Sequence, residues 1–290
     1  VIHNCPDLSD VDATLRILEY LGCEVYRSGT TVSVDSGNIG ANCICDELMR
    51  ELRSSIIFLG ALLSGTGEAQ MTAPGGCDIG LRPIDLHLSA MRRLGVRVSE
   101  KDGRIHCVCK KTRGSKITLS FPSVGATENI ILASVRGRGV TTIINAAREP
   151  EIVDLAMFLN ACGARISGAG DSTVYIEGVD RFHSSQFAIM PDRIVACTYM
   201  AAAAVTASSI IIDDVIVPHI LPVFSSFEQT GCRIEVAGNR IRITAPQRLT
   251  APDAIRTMPY PGFPTDCQAI MSAVASVAQG VTFINENIFE

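Results

Sequence analysis

Two hydrophobic periods alternate along the chain. From Ala13, ATLRILEYLG is apolar on one face at the helical period and runs into CEVYRSGTTVSVD, two short alternating runs around a turn. The same order returns as LSAMRRLG and VRVSEKDGRIHCVC from Leu88, LAMFLNACG and ARISGAGDSTVYIEGV from Leu155, and FSSFEQTG and CRIEVAGNRIRITA from Phe224. Each copy predicts an amphipathic helix, a Gly at its end and a hairpin. The glycines are Gly22, Gly95, Gly163 and Gly231, spaced by 73, 68 and 68 residues. Each suits a left-handed C-cap, where a Cβ would clash. Ser28-Gly29, Asp102-Gly103, Gly168-Ala169-Gly170 and Gly238-Asn239 supply the hairpin turns.

Between these units lies a second element, with a polar start, a small-residue helix, a Gly or Ser break and a β-branched strand. Ser123, Asp192 and Asp266 mark three copies, 69 and 74 residues apart, and an earlier copy starts near Glu47 and includes Arg53. Each repeat therefore reads β-α-β-α-β-β, which predicts an α/β fold of pseudo-symmetric repeats of about 70 residues. The polar marker at each helix mouth reads in two ways: an ordinary N-cap, or part of an anion site made by unpaired amides and the positive helix end. Ile194 to Ile212 carries no charge and is long enough to span a bilayer. Its Ala, Ser and Thr centre, bracketed by Asp192-Arg193 and Asp213-Asp214, predicts a buried helix followed by a strand instead.

Composition narrows the classes. A length of 290 residues suggests two domains. The net charge of −5 argues against a phosphate-backbone binder, and 5% aromatics with no Trp argue against a site of stacked rings. With 47% apolar residues, the chain has enough material for real cores. Eleven Cys without a regular framework, and no signal peptide at the start, fit a reduced cytosolic setting. Cys43-x-Cys45 and Cys107-x-Cys109 lack zinc spacing. The chain begins with Val and stops in an apolar segment, so it is expected to be a piece of a longer protein.

The sharpest local signal is PGGCDIGLRPIDLH (74–87). Pro-Gly-Gly makes an exposed loop with Cys77 at its tip, a poor place for a core thiol and a good one for a reactive thiol. Arg82 precedes Pro83, which suits the first turn of the next helix, and a nearby guanidinium favours thiolate.

With FPSVGATENI (121–130), NAAREPEIVDLAMFL (145–159), MPDRI (190–194), GFPTDCQA (262–269) and ENIFE (286–290), this stretch resembles the bacterial UDP-N-acetylglucosamine enolpyruvyl transferases (1-carboxyvinyltransferases) nearly end to end. The resemblance implies a two-domain inverse α/β barrel, with the first repeat domain at 1–190 and an incomplete second at 191–290. It implies transfer of enolpyruvyl from phosphoenolpyruvate to the 3′-hydroxyl of UDP-N-acetylglucosamine with release of phosphate, the first committed step of peptidoglycan synthesis. The implied partners are those two small molecules, with no nucleic acid or membrane. No metal or organic cofactor is expected, and the setting is cytoplasmic. Such a reaction must protonate the vinyl methylene, deprotonate the sugar hydroxyl and hold several negative charges away from water.

Carried over residue by residue, the resemblance makes Cys77 the general acid, able to form an adduct with phosphoenolpyruvate and open to alkylation by fosfomycin. Asp266 is the implied general base across a gap between two lobes. Arg53 and Arg82 are implied ligand-binding arginines, whose forked guanidinium suits phosphate. Pro83, Ile84, Asp85 and Leu86 match nucleotide contacts, and Phe121, Pro122, Ser123 and Val124 match the uridine-diphosphate loop. Ile288 lies near the sugar, and Asp192 and Arg193 match cleft residues. His87, Arg148 and Glu149 are expected to orient neighbours.

Some family features are missing: a Lys-Asn pair near the N-terminus, arginines beyond Glu290, and a Glu where Val195 stands. The 290 residues alone are accordingly expected to show little turnover. A shikimate-type transferase has no reason for the Cys loop, and an RNA 3′-phosphate cyclase calls for a more basic chain and a nucleophilic His. Cys77 and Asp266 together argue against a non-catalytic UDP-sugar-binding relative, an alternative that the missing family features keep open.

Overall fold

A repeated sequence grammar yields a repeated sheet. The computed structural model describes residues 1–72, 74–75 and 84–289, so the expectations for Cys77, Arg82 and Pro83 fall outside the described residues. The first compact unit, Val1–Ile189, opens with β1 (Ile2–His3), α1 (Ser9–Tyr20), β2 (Glu24–Ser28) and β3 (Thr31–Asp35). Next come α2 (Asp46–Glu51), a 3₁₀ turn at Arg53–Ile57, α3 (Phe58–Gly65), β4 (Glu68–Thr72), α4 (Asp85–Arg93), β5 (Arg97–Lys101) and β6 (Arg104–Val108). Then β7 (Lys116–Thr118), α5 (Val124–Ser134), β8 (Val140–Ile144), α6 (Pro150–Ala161), β9 (Arg165–Ser167) and β10 (Thr173–Glu177) reproduce the β-α-β-α-β-β order, and β11 (Phe187–Ala188) follows.

The second unit, Met190–Glu290, contains α7 (Arg193–Val205), β12 (Ser209–Ile212), α8 (Val217–Gln229), β13 (Arg233–Ala237), β14 (Arg240–Thr244) and β15 (Ala254–Arg256). A 3₁₀ turn at Thr265–Cys267, α9 (Gln268–Ser276) and β16 (Phe283–Asn285) complete it. Ile194 to Ile212 is thus a helix and a strand, but the helix is not the buried one expected, because Val195, Tyr199 and Val205 leave one face of α7 exposed. No helix among the described residues is long and apolar enough to cross a membrane.

All four amphipathic helices end in the same way. Gly22, Gly95, Gly163 and Gly231 take φ of +100°, +84°, +100° and +90°. Their amides donate to Glu19, Arg92, Asn160 and Glu228 carbonyls, and the next amides (Cys23, Val96, Ala164, Cys232) reach back to Leu18, Met91, Leu159 and Phe227. This paired closure satisfies the last carbonyls of the helix, and the residue after each Gly is buried.

The hairpin that follows always puts its second arm in the middle of a sheet. β3 lies between β1 and β2, β6 between β4 and β5, β10 between β8 and β9, and β14 between β12 and β13. Register aligns apolar rows: Ile243 is opposite Ile210 and Ile234, and Ile241 is opposite Ile212 and Val236. Parallel neighbours extend two of these sheets, with β7 on β8 and β11 on β1, while β15 and β16 form a separate parallel pair.

Each sheet turns one face outward, and in the first unit the small-residue helices lie inward. In β14, Ile241 and Ile243 are buried while Arg240, Arg242 and Thr244 are exposed. By contrast α5 buries Ala126, Thr127, Asn129, Ile130, Ile131, Ala133 and Ser134, and the remaining stripe of Val124, Gly125, Glu128 and Leu132 is half-buried. This is the inverse α/β arrangement, and a helix with so little exposed surface is mostly apolar or small. In the second unit the core gathers Cys197, Met200, Phe227, Ile241, Ile243, Met271 and Val274.

The contact of α3 with α5 constrains the first core closely. A Cβ on Gly60 would come within 2.5 Å of the Asn129 carbonyl oxygen and 2.8 Å of Asn129 Oδ1. Gly60→Ala is expected to destabilise the first unit by about 1–3 kcal/mol through overpacking, read as a lower urea midpoint. An unchanged midpoint means the two helices are not held at this distance.

Candidate active site

In the first unit, three separated segments gather around His87. Ser123 caps α5, its Oγ accepting from the Ala126 amide at 3.3 Å. Thr127 Oγ1 donates to Ser123 O at 2.8 Å and accepts from the Ala147 amide at 3.0 Å, tying the half-buried Phe121–Val124 turn to the NAAREP segment. Ile84 precedes α4, which begins at Asp85 and Leu86. Arg53 heads the 3₁₀ turn and donates from Nη1 to the Pro74 carbonyl at 3.3 Å. Gly75 donates to Met49 O at 2.9 Å, and it lies so close to Arg50 that a Cβ would be 2.5 Å from its Cα. Only glycine fits there, so the residues leading into the Cys77 segment are anchored beside Arg53.

His87 is 7% exposed and its pKa falls to about 4. Burial is the main cause and the Arg53 charge adds to it, while Asp85 opposes both. The expected orienting role of Arg148 and Glu149 takes a local form. Arg148 donates from its amide to Glu149 Oε2 and from Nε to Gly170 O.

In the second unit, Asp192 caps α7 by accepting from the Ile194 and Val195 amides at 2.7 and 3.1 Å. Arg193 is 8% exposed and lies 5.8 Å from the Tyr260 ring centroid, a cation–π contact. Tyr260 Oη donates to Pro218 O at 3.1 Å. That carbonyl faces Pro222 one turn later in α8, and Pro222 has no amide hydrogen to give it.

Asp266 departs from the N-cap expectation. The chain first makes a 3₁₀ turn, with Cys267 N donating to Pro264 O, and this displaces the start of α9 to Gln268. The residue before α9 is then Cys267, and no side chain caps it. Asp266 sits one step earlier, exposed in that turn.

Its neighbours are held by Glu286. Glu286 Oε1 accepts from Thr257 Oγ1 and the Ile288 amide, both at 2.7 Å, and from the Phe289 amide at 3.2 Å, while Oε2 accepts from Thr265 Oγ1 at 2.9 Å. One carboxylate thus ties the residue before Asp266 to Ile288. Desolvation pushes the Glu286 pKa up, but the hydroxyl and amide donors outweigh it and the net shift is downward.

Sequence reasoning passed over Asn129, Thr127, Glu128, Tyr260 and Glu286. Glu128 is raised to about 7, first by desolvation and then by Glu151 and Glu149. Both Asn129 and Glu286 stand inside motifs already singled out, but nothing in their spacing announces buried partners. A cavity of about 330 Å³ lies away from this cluster, among Leu63, Lys110, Lys111, Thr112, Arg136 and Asp180.

The sequence model of the EPSP synthase family (3-phosphoshikimate 1-carboxyvinyltransferase) matches residues 1–290. The chain belongs to this family. Among relatives, it is 48% identical to UDP-N-acetylglucosamine 1-carboxyvinyltransferase 2 of Caldanaerobacter subterraneus subsp. tengcongensis, covering 100% of this chain and 70% of that one. It is 44% identical to UDP-N-acetylglucosamine 1-carboxyvinyltransferase 1 of Symbiobacterium thermophilum, covering 100% and 67%. Among solved structures, the enolpyruvyl transferase NikO from Streptomyces tendae superposes with a TM-score of 0.85 at 24% identity, over 98% of this chain and 68% of that one. EPSP synthase from Acinetobacter baumannii gives 0.69 at 19%, over 98% and 66%. These two likenesses establish the family fold.

The lowered Glu286 pKa has a definite sign. A carboxyl depressed on folding adds stability above its unfolded value and loses it as pH falls through the folded one. The second unit is therefore expected to weaken to urea below about pH 4.3, and Glu286→Gln is expected to flatten that dependence. An unaltered acid limb in the variant contradicts the assignment.

Proposed function

We propose that the chain transfers the enolpyruvyl group of phosphoenolpyruvate to the 3′-hydroxyl of UDP-N-acetylglucosamine and releases inorganic phosphate. The observation that carries this is 48% identity, over the whole chain, with a UDP-N-acetylglucosamine 1-carboxyvinyltransferase. The PGGC loop and the GFPTD turn, both present in the sequence, support it. Identity to EPSP synthase is only 19%, so a shikimate-phosphate acceptor is not favoured.

In this reading Cys77 gives a proton to the vinyl methylene as the sugar oxygen bonds to C2, and Asp266 takes the hydroxyl proton. The Cys77 thiolate then takes back a methyl proton as phosphate leaves C2 with the proton held by Asp266, which restores the double bond and both groups. Arg53 and Arg82 bind phosphate oxygens, Pro83 to Leu86 and Phe121 to Val124 contact the nucleotide, Ile288 lies by the sugar, and Asp192 and Arg193 complete the set. Residues 1–190 supply the nucleotide and thiol side, and 191–290 supply the carboxylate. Peptidoglycan synthesis, a cytoplasmic setting and fosfomycin attack at Cys77 belong to the same proposal.

Phosphate release from the full-length protein with both substrates tests it. Cys77→Ala and Asp266→Asn are each expected to lower the rate by about 10²–10⁴, the usual contribution of a positioned acid or base. Rates equal to wild type remove the acid or base concerned, and release that proceeds without the nucleotide sugar removes the acceptor.

A further inference from the structure

Asn129 lies inside α5 at 0% exposure, and its amide oxygen and both amide hydrogens are engaged. Oδ1 accepts from the Gly60 amide at 2.7 Å, and Nδ2 lies 3.0 Å from the Ile56 carbonyl and 2.8 Å from His87 Nδ1. Two of these partners have fixed polarity. A backbone N–H only donates and a carbonyl only accepts, so the amide can face them in one way alone. The remaining hydrogen on Nδ2 is then aimed at His87 Nδ1, which must offer a lone pair. The imidazole proton consequently sits on Nε2.

A proton on Nδ1 would set two donors against each other in a buried space, which opposes charging of the ring. Burial and Arg53, on the neighbouring 3₁₀ turn, act in the same direction, and Asp85 on α4 acts against them. The free edge of the ring rests against the mouth of α5. A Cβ built on Gly125 would meet His87 Cε1 at 3.2 Å and Nε2 at 3.5 Å, two residues from the capping Ser123. The same Asn129 amide closes the first turn of α3, so it joins the turn that bears Arg53 to both α4 and α5.

We propose that Asn129 is a positioning residue for acceptor binding: it fixes His87 as a neutral Nε2–H donor at the mouth of α5, so this wall offers a hydrogen bond to the diphosphate of a nucleotide sugar without a charge that varies near neutral pH. The inference rests on the reading of residues 84–86 and 121–124 as the nucleotide side. It adds a residue that touches no substrate and acts through another.

The test begins with the full-length wild-type protein labelled with ¹⁵N at histidine, which requires no variant. One ring nitrogen of His87 is expected to stay unprotonated and the other protonated between about pH 5 and 8, with no titration near the ordinary value of about 6.5. A His87 signal titrating in that range, or one with the proton on Nδ1, overturns the proposal. Asn129→Asp then reverses the polarity, because a carboxylate draws a proton onto Nδ1. The His87 titration should move upward, and KM for UDP-N-acetylglucosamine should rise about tenfold, the loss of roughly one hydrogen bond. KM for phosphoenolpyruvate should stay unchanged.

His87→Phe, which keeps the buried ring and removes its donor, should give the same split if the Asp variant fails to fold. Both KM values rising together with a fall in thermal midpoint would mark a purely structural role and overturn the proposal. Wild-type binding of the nucleotide sugar that neither variant alters sinks the role of Asn129 alone. Failure of the wild type to bind it sinks the proposed function and this role together.

Discussion

A helix buried over most of its surface can send few polar groups to water, and α5 lives under that constraint. Its side chains must be small enough for close packing, and a buried polar one that finds no partner, as at Ser134 Oγ, costs stability. Gly60 meets the first demand by letting α3 approach the Asn129 backbone. Asn129 meets the second by satisfying Gly60, Ile56 and His87 at once. A buried network that is fully satisfied holds one geometry, and here that geometry sets the walls around Arg53, Ile84–Leu86 and Phe121–Val124. Stability of the first core and precision of its candidate site therefore have a common origin.

The second unit reaches the same end through a carboxylate. Glu286 gathers two hydroxyls and two amides, and its charge makes each of these bonds stronger than a neutral one. Tyr260 adds another device. Its hydroxyl reaches the carbonyl that faces Pro222, and its ring carries the Arg193 guanidinium. In both units some of the residues expected to meet substrate, Arg53, Ser123 and Asp266 among them, stand on short turns or caps before helices, next to side chains that are not themselves expected to react. On the second unit's turn, Asp266 stays exposed while the backbone beside it is fixed.

Much of the fold was legible because it depends on local chemistry that repeats. Gly22, Gly95, Gly163 and Gly231 each occupy a left-handed position that other residues adopt at a cost, so their spacing displays the repeat directly. Alternation in segments such as RIRIT shows which strand face is buried, and the Ala-rich stretch after Asp192 reads correctly as helix then strand. The site was legible only through motifs. Ser123 and Asp192 cap their helices as local rules allow, whereas Asp266 does not, because a 3₁₀ turn intervenes that no pattern of apolar positions encodes.

The sequence by itself therefore determined the helices, the hairpins, their common order and the motifs that mark the family, since these follow from short-range sterics and from periodicity. Only the tertiary structure decided which buried groups meet. Asn129 and His87 are 42 residues apart, and Thr265 and Glu286 are 21 apart. Whether such pairs make hydrogen bonds depends on distances set by packing across several elements, and a linear order of residues does not contain those distances.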